Sequence, residues 1–376
     1  MTGSVVHKLV RRGVEYGSNY MAATPREGDH PKMPVWGVII LAMTLATFVF
    51  FLLSVGYTIG GIVTTLTMVE TRTETVTIEA PSESGEPADP LLKGQDPMAE
   101  TVTVRKTKPI TSSIRSTIRH LHSIGGFRAR WRGLSAFFAF AMADRFLTGL
   151  LARLMGGSWA AFCVAAVLAK LPVVQLNTAW THIVISEPSP LPWYKRVPAL
   201  RAVFKPLAPA VVVCELSVLA CRFVVFGAWE VMGLDGPEPA TPQSGKEVTI
   251  MALKIVAAFA IEICVFLFVV LPAHVTAVRI QASLLPDDHE TIVPFDRSFG
   301  GKVVPAIMGG SGAVGFVDAW RSFGWEARWR LVKLYVKIFL IVNAVVIFAA
   351  LILGLESFLI MGKDASKMVD FTPPPM

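Results

Sequence analysis

The chain alternates long blocks of apolar residues with polar, charged connections. Six blocks predict membrane-spanning helices, because a hydrocarbon core about 30 Å thick requires about 20 apolar residues of helix. They cover residues 34–61, 134–154, 158–176, 208–232, 249–271 and 336–360. Only Met155, Gly156 and Gly157 separate the second block from the third, which predicts a tight helical hairpin, with one broken span as the alternative.

The segments outside these blocks are polar. Residues 1–33 form an N-terminal tail without a secretory signal pattern, and this tail is either an amphipathic helix on a membrane surface or simply solvated. Residues 361–376 form a C-terminal tail. The connection 70–108 is rich in Glu, Pro, Ser and Gly. Such a composition buries too little apolar surface to offset the entropy of ordering, so we expect a disordered loop there.

Composition supports a membrane protein. Hydrophobic residues make up 53% of the 376 residues and charged residues 17%, which excludes an ordinary soluble enzyme. All four cysteines lie inside apolar blocks, where they act as small hydrophobic residues. We therefore expect no structural disulfide, no metal site, no cofactor and no enzymatic activity.

The net charge of +7 reports topology rather than affinity for nucleic acid. Lys and Arg number ten between blocks one and two, four between blocks three and four, and seven between blocks five and six. The other two turns have one each, Arg153 at the end of block two and Lys246 before block five. Because basic loops share one side of a membrane, both termini are expected on the opposite side.

A short motif recurs along the chain. Residues 126–132 read GFRARWR and residues 324–330 read GWEARWR, and each motif precedes an even-numbered block. Between them, residues 201–209 read RAVFKPLAP, again with an aromatic residue and a base before a block. The pattern predicts an all-α integral membrane protein with six transmembrane helices arranged as three helical-hairpin repeats.

At these motifs the chain resembles the mitochondrial carrier family, whose three repeats each contain an odd span, a short helix and an even span. The matching positions are Gly126, Trp131, Arg132 and Gly133 in the first repeat, and Pro272, Arg279, Gln281, Gly324, Trp329 and Arg330 in the third. The resemblance implies solute transport, a mitochondrial membrane, and cardiolipin as a lipid partner of the basic aromatic segments.

The chain also departs from that family. Where carriers pair an acid with a base to close one side, this sequence has His274 with Ala277 and Asn177 with Trp180. A gate of three ion pairs therefore cannot form, and a degenerate membrane scaffold or adaptor is the alternative. The chain also resembles fungal multispanning proteins labelled "ubiquitin carrier protein", but all four of its cysteines lie in apolar spans, which does not suit ubiquitin transfer.

Charged residues inside the apolar blocks are the main functional candidates, since such groups are costly unless they face protein or water. The five interior ones, proposed as substrate-binding residues, are Asp144, Arg145, Glu215, Arg222 and Glu262. Either they form internal ion pairs that fix helix packing, such as Arg222 with Glu262 or Asp144, or the two arginines line a cavity for an anionic solute with Asp144 and Glu262 as counter-charges. Lys170 and four other charges lie nearer block ends and are expected to reach the interface.

The sequence thus favours a carrier-like transporter of a small anionic solute, with anionic lipid headgroups as partners. The alternative is an adaptor that holds proteins through its long loops. The protein partners and the organelle, whether mitochondrion or another, stay open. The basic aromatic segments are typical of headgroup anchors and not of nucleic-acid sites.

Overall fold

The computed structural model describes residues 34–71, 74–79, 101–106, 108–234, 245–304, 308–310 and 312–361. The predicted N-terminal tail, the C-terminal tail beyond Met361 and the central part of the predicted loop lie outside these residues.

The described chain is built from long apolar helices, and the protein is an all-α integral membrane protein. Six helices are long and apolar enough to cross a membrane: α1 (Val35–Val69), α3 (Leu134–Leu154), α4 (Trp159–Ile185), α5 (Leu200–Val231), α6 (Lys246–Ser283) and α8 (Trp325–Met361). Two shorter helices lie between them, α2 (Ile114–Gly125) and α7 (Phe316–Arg321).

The order of elements confirms three hairpin repeats. The first runs α1, α2, α3 and the third runs α6, α7, α8, each with a short helix between two long ones. In the second repeat, a 3₁₀ turn at Trp193–Arg196 stands between α4 and α5. The predicted tight turn joins α3 to α4 through Gly156 and Gly157, whose φ angles of 94° and 68° suit glycine.

The outer faces of the spans are apolar. On α3, Phe138, Met142 and Phe146 follow one another at intervals of one helical turn and are 58%, 71% and 68% exposed. A row of large apolar side chains is unfavourable in water and favourable only in contact with another apolar phase. The surface therefore fits the hydrocarbon of a bilayer.

The segment expected to be a disordered loop contains a small antiparallel hairpin. Strand β1 (Glu74–Glu79) pairs with β2 (Thr101–Lys106), with Glu74 opposite Lys106. Alternating Thr, Val and Ile give both segments high strand propensity, which the acidic composition of the connection as a whole concealed.

Five spans extend further than the apolar blocks predicted: α1, α4 and α6 run past the expected ends, and α5 and α8 begin before the expected starts at residues 208 and 336. Helix α4 continues to Ile185 and α6 to Ser283, beyond the expected ends at residues 176 and 271. Polar residues such as Thr178 and Thr181 suggested an end to the span, but both are buried in the protein and bonded. Contact with other helices replaces contact with lipid along these last turns.

Two odd-numbered spans contain wide, π-helical turns before their ends, at Gly56–Val63 in α1 and at Phe266–Val270 in α6. In α6 the wide turn immediately precedes Pro272, which lacks an N–H and disrupts a regular helix. The π segment therefore lets α6 accommodate the proline without ending.

The chain divides into two compact units. One contains the start of α1 through Leu52 and the end of α8 from Asn343; within it, Thr44 donates to Glu356 at 2.9 Å. The other spans Leu53–Val342 and contains the main hydrophobic core.

Candidate functional site

The C-terminal ends of α1, α4 and α6 meet in the core of the larger unit, at a place we call the terminal junction. Trp180 Nε1 donates to Tyr57 Oη at 3.2 Å, which links α4 to α1. Thr181 Oγ1 donates to Gln281 Oε1 at 2.7 Å, and His182 Nε2 lies 2.8 Å from the Gln281 carbonyl, which link α4 to α6. Among the described residues, hydrogen bonds and apolar packing close this junction without any ion pair between the three helices.

Arg279 of α6 links the remaining pair of helices in the junction, α6 and α1. It is 3% exposed, and its guanidinium donates to the carbonyls of Met68 in α1 at 2.9 Å and Ala319 in α7 at 3.1 Å. It also lies 5.0 Å from the ring centre of Phe299 and 5.5 Å from that of Phe323. Arg279 therefore serves as a structural link that satisfies carbonyls at the end of α1.

The first recurring motif places Arg132 against the end of α4. Its Nε donates to the Ile183 carbonyl at 3.1 Å and its Nη2 donates to the carbonyl of Ser186. These carbonyls lie at the C-terminal end of α4, in its last turn and in the residue that caps it, where no further helical N–H is available. The close approach requires Gly133, which has φ of 74° and whose added Cβ would lie 3.2 Å from Ile183 Cγ2.

The second copy of the motif repeats this role at the end of α1. Arg330 Nη1 lies 3.3 Å from Glu70 Oε2, directly after α1. The carboxylate of Glu70 is 2% exposed and also accepts bonds from Ile110 N at 2.6 Å, Thr111 N at 3.2 Å and Thr111 Oγ1 at 2.5 Å. In both repeats, an arginine at the start of an even span holds the end of an odd span of another repeat.

We call each contact between the start of an even span and the end of an odd span of another repeat a joint. The third joint, between α5 and the end of α6, lacks such an arginine. The corresponding base of the second repeat, Lys205, is exposed and forms no ion pair with any described residue. Instead, Val203 and Leu207 of α5 pack against Ala277 and Ile280 of α6 in an apolar cluster. Two joints of the terminal junction are thus polar and one is apolar.

The remaining motif residues have local roles. Gly126 ends α2 with φ of 63°, and Trp131 stacks on Tyr57 with ring centres 6.3 Å apart. Gly324 has neither a positive φ nor a close neighbour. Trp329 is 53% exposed and has Lys333 over its ring at 5.7 Å, as an interfacial residue would.

A mixed-charge cluster lies at the middle of three neighbouring spans. Lys170 of α4 donates to Asp144 Oδ2 of α3 at 2.9 Å and lies 4.0 Å from Glu215 Oε2 of α5. The expectation that Lys170 reaches the interface is wrong. Its position among acids on both neighbouring helices, each near its helix midpoint, makes an ion pair more favourable. Sequence analysis missed Lys170 as a site residue, although its place in an apolar block was the available signal.

Arg222 and Glu262 form no ion pair with that cluster among the described residues. Both line a cavity of about 480 Å³ between α5 and α6, together with Val218, Cys221, Val225, Phe226, Trp229, Phe266 and Val270. The expected ion pair of Arg222 with Glu262 or Asp144 does not form, since no described carboxylate lies within 4.0 Å of its guanidinium. Arg145 is exposed on α3 and likewise pairs with no described acid. Among the five predicted residues, Asp144 and Glu215 therefore share Lys170, Arg222 and Glu262 share a cavity, and Arg145 belongs to neither set.

Two further cavities lie at the starts of even spans, in equivalent places. One of about 660 Å³ is lined by Arg279, Arg330, Lys333 and Lys337, with Glu70 and Glu326 as the acids. The other, of about 280 Å³, is lined by Arg128, Arg132 and Arg196 and by no acid among the described residues. Burial lowers the pKa of the Arg196 guanidinium, which donates to Ser186 Oγ at 2.6 Å. Both cavities favour an anion.

Comparison with known proteins returned no match: no family model, no curated protein and no solved structure matches the chain.

Proposed function

We propose that this membrane protein is a carrier-like transporter of a small anionic solute. Arg222 is the observation that supports this proposal most directly. It lies nine residues before the end of α5 at Val231, about 14 Å along the helix, and so well inside the apolar span. A guanidinium at that depth is costly unless a charge or water meets it. An anionic solute in the adjoining cavity would supply that charge.

The cavity suits a solute of modest size. Its volume of about 480 Å³ lies within the usual range of small-molecule sites. Most lining residues are apolar, and Arg222 and Glu262 are the charged ones. In this proposal Arg222 binds the anion, and Glu262 restores local neutrality when the site is empty.

The terminal junction supports a transport cycle in which the ends of α1, α4 and α6 close one side of the protein and then separate. Its links across α1, α4 and α6 are hydrogen bonds such as that between Thr181 and Gln281, each of modest net free energy. No described ion pair between these three helices has to break when such links open, although Glu70 and Arg330 form one beside the end of α1. The threefold hairpin order, shared with the mitochondrial carrier family, agrees with a transporter of this kind.

Anionic lipid headgroups are the proposed partners of the two basic cavities at the starts of α3 and α8. Exposed Trp329 and its neighbouring Lys333 are typical of residues at a headgroup layer. Following the carrier resemblance, we place the protein in a mitochondrial membrane with cardiolipin as the lipid. Fluorescence localisation of the intact chain tests the organelle.

Counterflow in liposomes tests transport. The full-length protein is reconstituted and loaded with a panel of monocarboxylates, dicarboxylates and nucleoside phosphates, with neutral sugars and zwitterionic amino acids for comparison. We expect exchange of at least one anion, its loss in Arg222→Ala and partial retention in Arg222→Lys. Lys205→Ala is the matched control, because it removes an exposed base away from the cavity.

The opposite result supports the adaptor. If wild-type protein is monodisperse and helical yet exchanges nothing in the panel, the transporter proposal fails. If Arg222→Ala exchanges the anion at the wild-type rate, the cavity does not hold the solute. Chemical cross-linking of partner proteins to the long loops would then test the adaptor alternative.

A further inference from the structure

The cluster of Asp144, Lys170 and Glu215 carries more acid than base. Each residue lies near the midpoint of its helix, in Leu134–Leu154, Trp159–Ile185 and Leu200–Val231 respectively. The side chains of Asp144, Lys170 and Glu215 are 13%, 23% and 16% exposed. Two carboxylates share one ammonium, so the fully ionised cluster has a net charge of −1 in a place where charge is expensive.

The ammonium is unequally shared. Lys170 Nζ lies 2.9 Å from Asp144 Oδ2, a normal charge-assisted hydrogen bond, but 4.0 Å from Glu215 Oε2, which is beyond hydrogen-bond distance. The ring of Phe140 lies 5.4 Å from the same ammonium. Lys170 is therefore committed to Asp144, and no described cation lies within hydrogen-bond distance of Glu215.

The cluster is also short of hydrogen-bond donors. Asp144 Oδ1 is buried and accepts no hydrogen bond from any described residue. The other titratable and charged groups facing Glu215 are Arg145 from α3 and Arg222 on its own helix, with Cys214 beside it. Within the described chain, neither arginine forms an ion pair or a hydrogen bond with these carboxylates.

We propose that this cluster binds one exchangeable proton, held by Glu215 and Asp144, and that the proton moves together with the transported anion. Binding converts one carboxylate to a carboxylic acid, brings the cluster to neutrality with Lys170 and supplies an O–H donor. The proton comes from water on one side and returns to water on the other. This inference rests on the proposed function for its transport step but not for its proton-binding step.

Infrared spectroscopy of the protein in nanodiscs tests proton binding directly. We expect a carboxylic-acid C=O band at neutral pH in the wild type. Glu215→Gln and Asp144→Asn should each abolish that component, because either change leaves one carboxylate for one ammonium. Lys170→Gln should increase it, and Lys170→Arg should leave it unchanged. Glu262→Gln, an acid-to-amide change in a span outside the cluster, is the matched control and should retain the component.

The transport step has its own readout. In liposomes, a monovalent anion that moves with one proton should accumulate about tenfold per unit of pH gradient, since the gradient and the solute ratio balance. Glu215→Gln should retain exchange at equal pH and lose the response to the gradient. A sodium gradient in place of the pH gradient should have no effect.

The outcomes separate the two proposals. If either acid variant is monodisperse and retains the C=O component, the cluster does not share a proton and the inference is wrong. If the wild type exchanges an anion with no response to pH, coupling is wrong while the proposed function stands. If no anion is exchanged but the infrared pattern is as expected, proton binding stands and the transport proposal fails.

Discussion

The buried pair of Glu70 and Arg330 should contribute far more to stability than the shorter, exposed pair of Lys302 and Asp318. The first pair is separated by 3.3 Å with side chains 2% and 15% exposed, and the second by 2.7 Å with side chains 49% and 41% exposed. If distance decided the free energy, the exposed pair would be the stronger. Burial should decide instead, because water screens the exposed pair.

The structure sets the magnitude. Removing one partner of a buried pair costs about 3–5 kcal/mol, because the other charge is left without compensation. Here Glu70 would keep its bonds from Ile110 N and from the amide and hydroxyl of Thr111. We therefore expect Arg330→Met to cost about 3 kcal/mol, at the lower end of that range. Lys302→Met should cost less than about 1 kcal/mol.

Equilibrium unfolding in mixed micelles with increasing dodecyl sulfate measures both values. A double-mutant cycle with Glu70→Gln should give a coupling free energy of at least about 1 kcal/mol, because the two residues share one buried contact. Equal costs for Arg330→Met and Lys302→Met, or strict additivity in the cycle, would refute the argument from burial.

Three further predictions concern the terminal junction and its loops. Gly133→Ala should lower the free energy of unfolding by about 1–3 kcal/mol, from its positive φ and the close contact, whereas Gly324→Ala should change it by less than about 0.5 kcal/mol in the same assay. Gln281→Ala should cost about 1–3 kcal/mol in thermal unfolding, since it leaves buried partners unsatisfied. Hydrogen bonds from Ser298 lower the pKa of Asp296, so its stabilising contribution is present above the ordinary Asp pKa and is lost as pH falls through the lower, folded value. Asp296→Asn should therefore flatten the acid limb of a stability–pH curve, and an unchanged limb would contradict this.

The spans were predictable because the bilayer imposes one simple length rule on apolar residues. All six blocks correspond to helices, and Gly156 with Gly157 correctly marked the turn after α3. The ends of α4 and α6 were not predictable in this way. There Thr181 and Gln281 satisfy each other across two helices, and a pairing between residues a hundred positions apart leaves no local pattern.

The candidate site was predicted in its residue types but not in its grouping. Asp144 and Glu215 were correctly singled out as charges inside spans, yet Lys170, which joins them, was assigned to an interface. Helix periodicity relates Glu215 to Arg222 on one helix. It carries no information about which neighbouring helix supplies the partner, and that depends on packing between spans.

The unequal joints of the terminal junction have a directional consequence. If the three joints were equivalent, thermal motion would open each of them with equal frequency. Among the described residues, the ends of α1 and α4 are held by Arg330 and Arg132, whereas the end of α6 packs against α5 through apolar side chains such as Leu207 and Ile280. Apolar surfaces slide without breaking any bond of fixed geometry. Separation at the contact between α5 and the end of α6 would therefore break none of these arginine bonds, whereas separation of α4 from α6 would break the bonds of Thr181 and His182 to Gln281.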